Sequence, residues 1–178
     1  MAFGSLALLW MNLVFAGAPS VNVGAPALQF VLPAVNEQLA MDLVNKPTVA
    51  LSDFAGLDPA YPRKGVVLYF CTRAKGGDAL PELERVAKKA RGKGVQIVVV
   101  LADKGEIADL SEWVTQQAVS FPVLRDNQRV VSDRYGISEW PLTFVVDSEG
   151  EVYAVGTPKA GEIEIELTAA VDALTGGR

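Results

Sequence analysis

The sequence predicts an α/β domain, a central mixed β-sheet flanked by helices, with an extension on its N-terminal side. The continuous apolar run Val66–Phe70 reads as a strand buried on both faces, and Val95–Leu101 as a second buried strand. An amphipathic helix lies between them, the arrangement of a parallel strand pair with its crossover. Further on, Thr143–Val146 and Val152–Val155 flank the turn Ser148-Glu149-Gly150, which predicts an antiparallel pair closing the sheet.

The elements follow in order. Ala27–Leu32 reads as a short strand ending at Pro33. Asn36–Lys46, with Leu39, Met41 and Leu43, fits either a helical turn or a strand. Thr48–Leu51 is β-like, Ser52-Asp53-Phe54 opens a turn, and Pro59 and Pro62 make Leu57–Lys64 a connector. After the first buried strand, Leu80, Leu83, Ala87 and Ala90 share one helical face, and Gly92–Gly94 stops that helix. With Asp78 as N-cap, Pro81 falls in the first turn, where its missing N–H costs little. Ile107, Leu110 and Val114 mark the next helix. Phe121–Leu124 is short and extended, and Gln128–Tyr135 is a short helix ended by Gly136. Gly161–Leu174 is the last helix, with Ile163, Leu167, Ala170, Val171 and Leu174 facing inward; Glu162, Glu164 and Glu166 read as its solvated face.

Composition narrows the chemistry. The 178 residues are half apolar and 21% charged, enough for one domain with a real core. Net charge is -5 and no Lys/Arg run stands out, so neither nucleic acid nor an anionic membrane surface is an expected partner. The absence of histidine removes every Ser-His or Cys-His arrangement. A single cysteine, Cys71, leaves no intrachain disulfide and no cysteine-based zinc site. No metal or other cofactor is expected.

Met1 to Asn36 carry no charged side chain, and Leu6–Ala16 is an apolar run followed by Gly17-Ala18-Pro19. It is short for a membrane span, and small residues follow at signal-cleavage spacing, after Ala16 or Ala18. Residues 1–18 are therefore expected to be a cleaved export signal, and the protein periplasmic or extracellular. An uncleaved anchor, which alone would bring a membrane into play, and a mis-assigned start are the alternatives.

Five stretches carry a family resemblance: VGAPALQFVLP from Val23, VALSDFAG from Val49, GVVLYF from Gly65, LPELERVAKKA from Leu80 and WPLTFVVDSEGEV from Trp140. They resemble the thioredoxin-like redoxin group, both the exported TlpA-like thiol–disulfide oxidoreductases and the alkyl hydroperoxide reductase/thiol-specific antioxidant proteins. The resemblance implies a thioredoxin-like domain over residues 65–178, with 19–64 as lead-in and β extension. It also implies that Pro141 is a cis proline facing the active-site loop.

That loop departs from the family pattern. Exported members read Phe-Trp-Ala-Thr-Trp-Cys-Pro-Pro-Cys, whereas this chain reads Tyr69-Phe70-Cys71-Thr72-Arg73-Ala74-Lys75-Gly76-Gly77. On this overlay the dithiol positions become Ala74 and Gly77. A peroxidase overlay also fails, because the third residue after Thr72 is Lys75. Thiol–disulfide exchange needs an attacking thiolate and a resolving thiol, and Ala74 and Gly77 supply neither. Two readings of Cys71 stand. It is a buried, inert thiol packed as a small hydrophobe, or it is a relocated reactive thiol whose pKa is depressed by Arg73, Lys75 and a helix N-terminus. Lys75-Gly76-Gly77 at a predicted helix start would attract an anion, though the Walker spacing is absent; the plainer reading is a flexible loop in place of a lost site. Trp140 either packs or forms an aromatic binding face. The expected function is a redoxin-family protein with a degenerate dithiol site. It would bind a polypeptide or protein partner in the groove between Thr72, Arg73, Lys75 and Gly76 on one side and Trp140 and Pro141 on the other. The alternative is a single-cysteine oxidoreductase or peroxidase using Cys71 with an external thiol.

Overall fold

A computed structural model describes residues 19–176; the expected export signal, residues 1–18, lies outside them. Seven strands and five helices follow one another as β1 (Val31–Pro33), α1 (Glu37–Val44), β2 (Thr48–Ala50), β3 (Gly65–Cys71), α2 (Leu80–Gly92), β4 (Val95–Leu101), α3 (Ile107–Gln117), β5 (Val123–Arg125), α4 (Val130–Arg134), β6 (Leu142–Asp147), β7 (Val152–Gly156) and α5 (Ile163–Gly176). The main sheet runs β5-β4-β3-β6-β7. β3 pairs parallel with β4 and antiparallel with β6, while β1 and β2 form a separate antiparallel pair. The central position of β3 explains its unbroken apolar run, since all seven residues are buried.

Alternation along β3 and β4 divides the core in two. Val67, Tyr69, Cys71, Ile97 and Val99 meet Leu83, Val86, Leu110, Leu167 and Val171 of α2, α3 and α5. Val66, Leu68, Phe70, Val98 and Val100 meet Phe30, Val44, Phe54 and Tyr135 from the N-terminal segment and α4. Residues 19–64 thus share their core with the main sheet. α5 is tied to α2 at the surface by Glu164, which accepts from Arg85 (2.5 Å) and Lys89 (2.8 Å).

Several boundaries differ from expectation for local reasons. The first strand is only Val31–Pro33, because the residues before it bond to the β6–β7 turn; Ala27 N–H donates to Gly150 O at 2.9 Å. The ambiguous Asn36–Lys46 stretch is a helix, ended by Asn45 in the left-handed conformation. Ser52 and Asp53 fall in a 3-10 turn over Leu51–Asp53, with Phe54 as its C-cap. Asp78 is not the N-cap of α2. A 3-10 turn, Gly77–Ala79, precedes the helix, Ala79 holds the cap position without a side-chain cap bond, and Pro81 does fall in the first turn. α4 is shorter than Gln128–Tyr135 because buried Asp126 accepts from Val131 N–H, Ser132 N–H and the Ser132 hydroxyl, fixing the start.

Phe70, Tyr135 and Phe144 form a ring cluster with centroids 5.0–5.8 Å apart. The Tyr135 hydroxyl donates to Leu28 O at 2.7 Å, joining the lead-in to this cluster. Tyr135→Phe keeps the ring and leaves that carbonyl without its donor. The expected loss is about 1–2 kcal/mol, read as a lower urea midpoint at unchanged m-value.

Candidate functional site

The site forms where β3 ends. Thr72 and Lys75 exchange backbone hydrogen bonds at 3.0 and 3.1 Å, closing a tight turn with Arg73 and Ala74 at its tip. The Thr72 hydroxyl also accepts from Lys75 N–H at 3.1 Å. Asp103, in the loop after β4, holds the tip: its carboxylate accepts from Arg73 N–H at 2.7 Å and from Arg73 Nε at 3.4 Å. The loop after β3 is thus a hydrogen-bonded turn tied to the loop after β4.

The Trp140–Pro141 bond is cis. The residue set against Pro141 is Gly76, and neither Ala74 nor Gly77. A methyl group on Gly76 would stand 2.8 Å from Pro141 Cβ, 2.7 Å from the Tyr69 hydroxyl and 3.2 Å from Cys71 Cβ. With φ at +87°, this position favours glycine on both counts. Gly76 O accepts from the Tyr69 hydroxyl at 3.1 Å. Ala74 is exposed at the turn tip. Gly77 is buried, and a methyl group there would lie 3.1 Å from Trp113 Cζ2 and 3.2 Å from Thr72 O. The two overlaid dithiol positions thus face different surroundings, one open and one covered by an α3 indole. Trp113 was not legible as a site residue, because only the tertiary fold brings α3 over this turn.

Cys71 is fully buried on the α2 face of the sheet. Burial pushes its thiol well above the ordinary thiol range, and Asp103 and Asp78 push it further the same way. Arg73 and Lys75 do not impose the depression expected of a reactive thiol. Arg73 is engaged by Asp103, and Lys75 is exposed. The Tyr69 phenol is also raised, first by burial and then by Cys71, Asp78 and Glu82. The alternative anion cradle at Lys75-Gly76-Gly77 does not stand at the start of α2, because Gly77 itself opens the 3-10 turn Gly77–Ala79 that precedes the helix. The first helical turn carries Glu82, whose carboxylate accepts from Gly161 N–H at 2.7 Å.

Beside Pro141 lies a pocket of about 340 Å³, lined among others by Tyr69, Gly76, Trp140, Pro141, Pro158 and Ile163. Asp78, Glu139 and Lys159 give it a charged rim. Trp140 is partly buried, with the Arg129 guanidinium carbon 5.3 Å from its ring centroid. Thr72, Arg73, Lys75, Gly76, Trp140 and Pro141 are thus placed around the end of β3, with Gly76 and Trp140 meeting at the pocket. Among the described residues no group of His, Cys, Asp and Glu is arranged to hold a metal ion.

A five-stranded sheet of this order, flanked by helices and with its post-β3 turn set against a cis-prolyl residue, defines a thioredoxin-like protein. A family model described as "AhpC/TSA family" matches residues 23–155, and the chain belongs to that family. It is 33% identical over 150 residues to the "Thiol-disulfide oxidoreductase ResA" of Bacillus subtilis, covering 82% of this chain and 73% of that one. It is 30% identical over 140 residues to the ResA of Bacillus thuringiensis (strain Al Hakam), covering 78% and 71%. Among solved structures it resembles a candidate DsbE-type thiol:disulfide interchange protein from Chlorobium tepidum, with TM-score 0.67, 25% identity, and 85% and 99% of the two chains covered. The peroxidoxin BcpB of Mycobacterium tuberculosis shares the fold, with TM-score 0.66, 18% identity, and 89% and 99% covered.

Proposed function

We propose that this member of the thiol–disulfide oxidoreductase family no longer exchanges disulfides and instead binds an extended polypeptide in the pocket beside Pro141. The observation that carries this reading is the placement of glycine against the cis proline, with the only sulfur of a cysteine sealed beneath it. A thiol that stays protonated and excluded from solvent supplies no attacking thiolate. What remains is a recess of about 340 Å³ with Trp140 in its wall, mixed apolar and charged in its lining. The apolar leader supports an exported protein, and among the described residues no helix is long and apolar enough to cross a membrane.

Two measurements test this. Iodoacetamide at neutral pH is expected to label Cys71 only as fast as the protein unfolds; rapid labelling of the native protein would favour the single-cysteine oxidoreductase instead. An unfolded polypeptide with carboxymethylated cysteines is expected to bind the native protein, with Trp140→Ala weakening it at least tenfold at unchanged thermal stability. No binding, or equal binding by the variant, defeats the groove.

A further inference from the structure

We propose a second ligand site at the opposite pole of the sheet, a cleft that binds a phosphate-bearing anion. It encloses about 550 Å³, with Leu43, Pro62 and Val95 as apolar lining and Arg63, Lys64 and Arg91 as its charged groups. The cleft opens where β3 and β4 begin, whereas Cys71 ends β3 at the other pole. Seven strand residues, roughly 20 Å, separate the two.

The charge balance of the cleft runs against that of the chain. Net charge is -5, yet no Asp or Glu lines the cleft. The other cations of α2 and its C-cap are committed: Lys93 to Asp172, Arg85 and Lys89 to Glu164, and Lys88 to Glu84. Among the described residues no ion pair joins Arg63, Lys64 or Arg91 to a carboxylate. The nearest link is indirect, since Arg91 Nη2 donates to Ser120 Oγ at 2.9 Å and Ser120 in turn bonds Glu84.

The three cations are held in place by the fold. Lys64 N–H donates to Gly94 O at 2.8 Å, and a methyl group on Gly94 would stand 3.4 Å from Lys64 Cγ, so the lysine stem lies along that glycine. Arg63 N–H donates to Phe54 O at 3.1 Å, and its guanidinium carbon lies 5.9 Å from the Phe54 ring centroid. Arg91 is anchored through Ser120. Arg63 Nη1 donates to Pro62 O at 3.2 Å and Arg91 Nη2 to Ser120, which leaves the other N–H groups of the two guanidinium forks and the Lys64 ammonium for phosphate oxygens, which accept several charge-assisted hydrogen bonds at once. The apolar lining would take the organic part of the ligand. Either a soluble phosphate ester or an anionic phospholipid headgroup offers this chemistry.

The test titrates the full chain with inorganic pyrophosphate at low salt, and separately sediments it with phosphatidylglycerol or phosphatidylcholine vesicles. Saturable one-site pyrophosphate binding is expected, weakened at least tenfold by Lys64→Glu or Arg63→Gln and unchanged by Lys75→Ala at the other pole. Capture by phosphatidylglycerol but not phosphatidylcholine vesicles, lost in Lys64→Glu, assigns the lipid source. Pyrophosphate binding without that capture assigns the soluble one. Failure of both probes to bind, or binding indifferent to Lys64→Glu, or lost equally in Lys75→Ala, overturns the proposal.

Discussion

Gly76→Val is expected to destabilise the protein by roughly 2–5 kcal/mol, a large share of an ordinary domain's stability. Two effects combine. The backbone at φ +87° is costly for any residue with a Cβ, and most costly for a β-branched one. The new atoms would also collide with the Tyr69 hydroxyl and Pro141 Cβ, both nearer than 3 Å to the first added carbon. Neither obstacle is the free end of a flexible chain, since Tyr69 is buried in β3 and Pro141 is a ring. Gly24→Ala separates the contributions. That glycine has φ +81° with nothing within 4 Å of an added methyl, so it shows the backbone cost alone, about 1–2 kcal/mol. Urea unfolding of the three proteins measures the difference. Equal losses in Gly76→Val and Gly24→Ala would mean that the turn yields freely and that glycine is not required against Pro141.

Raising the pH above about 8.5 is expected to destabilise the fold steeply. Burial raises the Cys71 thiol in the folded state, so the native protein keeps a proton that the unfolded chain releases near pH 8.5. The stability tied to that proton is complete below pH 8.5. It falls by about 1.4 kcal/mol per pH unit above it, until the folded thiol itself titrates. Above about pH 10, Tyr69 and Tyr135 join, because burial raises both phenols. The three losses add, so the decline steepens above pH 10. Urea midpoints measured from pH 7 to 10.5 check this. Cys71→Ala should flatten the curve between pH 8.5 and 10, and Tyr135→Phe should lessen its slope above pH 10. A midpoint that does not move up to pH 10 would show that the thiol titrates freely and is not sealed.

The legible parts of this protein are those whose burial leaves a local pattern. The bounds of β4 are legible to the residue, because a strand covered on both faces leaves a run that is apolar but for Gln96, next to the Gly92–Gly94 turn signal. α2 and α5 announced themselves through one apolar face. The β6–β7 pair was visible from its turn. α4 and the first strand were read too long. Their ends are decided by the Asp126 carboxylate and by the β6–β7 turn, neither of which is visible from nearby residues. The end of β3 was legible as the place where the family resemblance puts a site, but the contacts made there were not. The family overlay, which needs a one-residue gap before Pro81, puts Ala74 and Gly77 in the dithiol positions, while the turn closed by Thr72 and Lys75 brings Gly76 to Pro141.

From the amino-acid sequence alone follow the α/β class, the single cysteine, and the impossibility of histidine chemistry, because these depend on which residues exist and on their local periodicity. The tertiary structure decided the rest: which glycine meets the proline, that an α3 indole covers Gly77, that Cys71 is sealed, and that Arg63, Lys64 and Arg91 share one cleft. These are contacts between segments far apart in the chain, and side chains meeting across a sheet leave no periodicity along it.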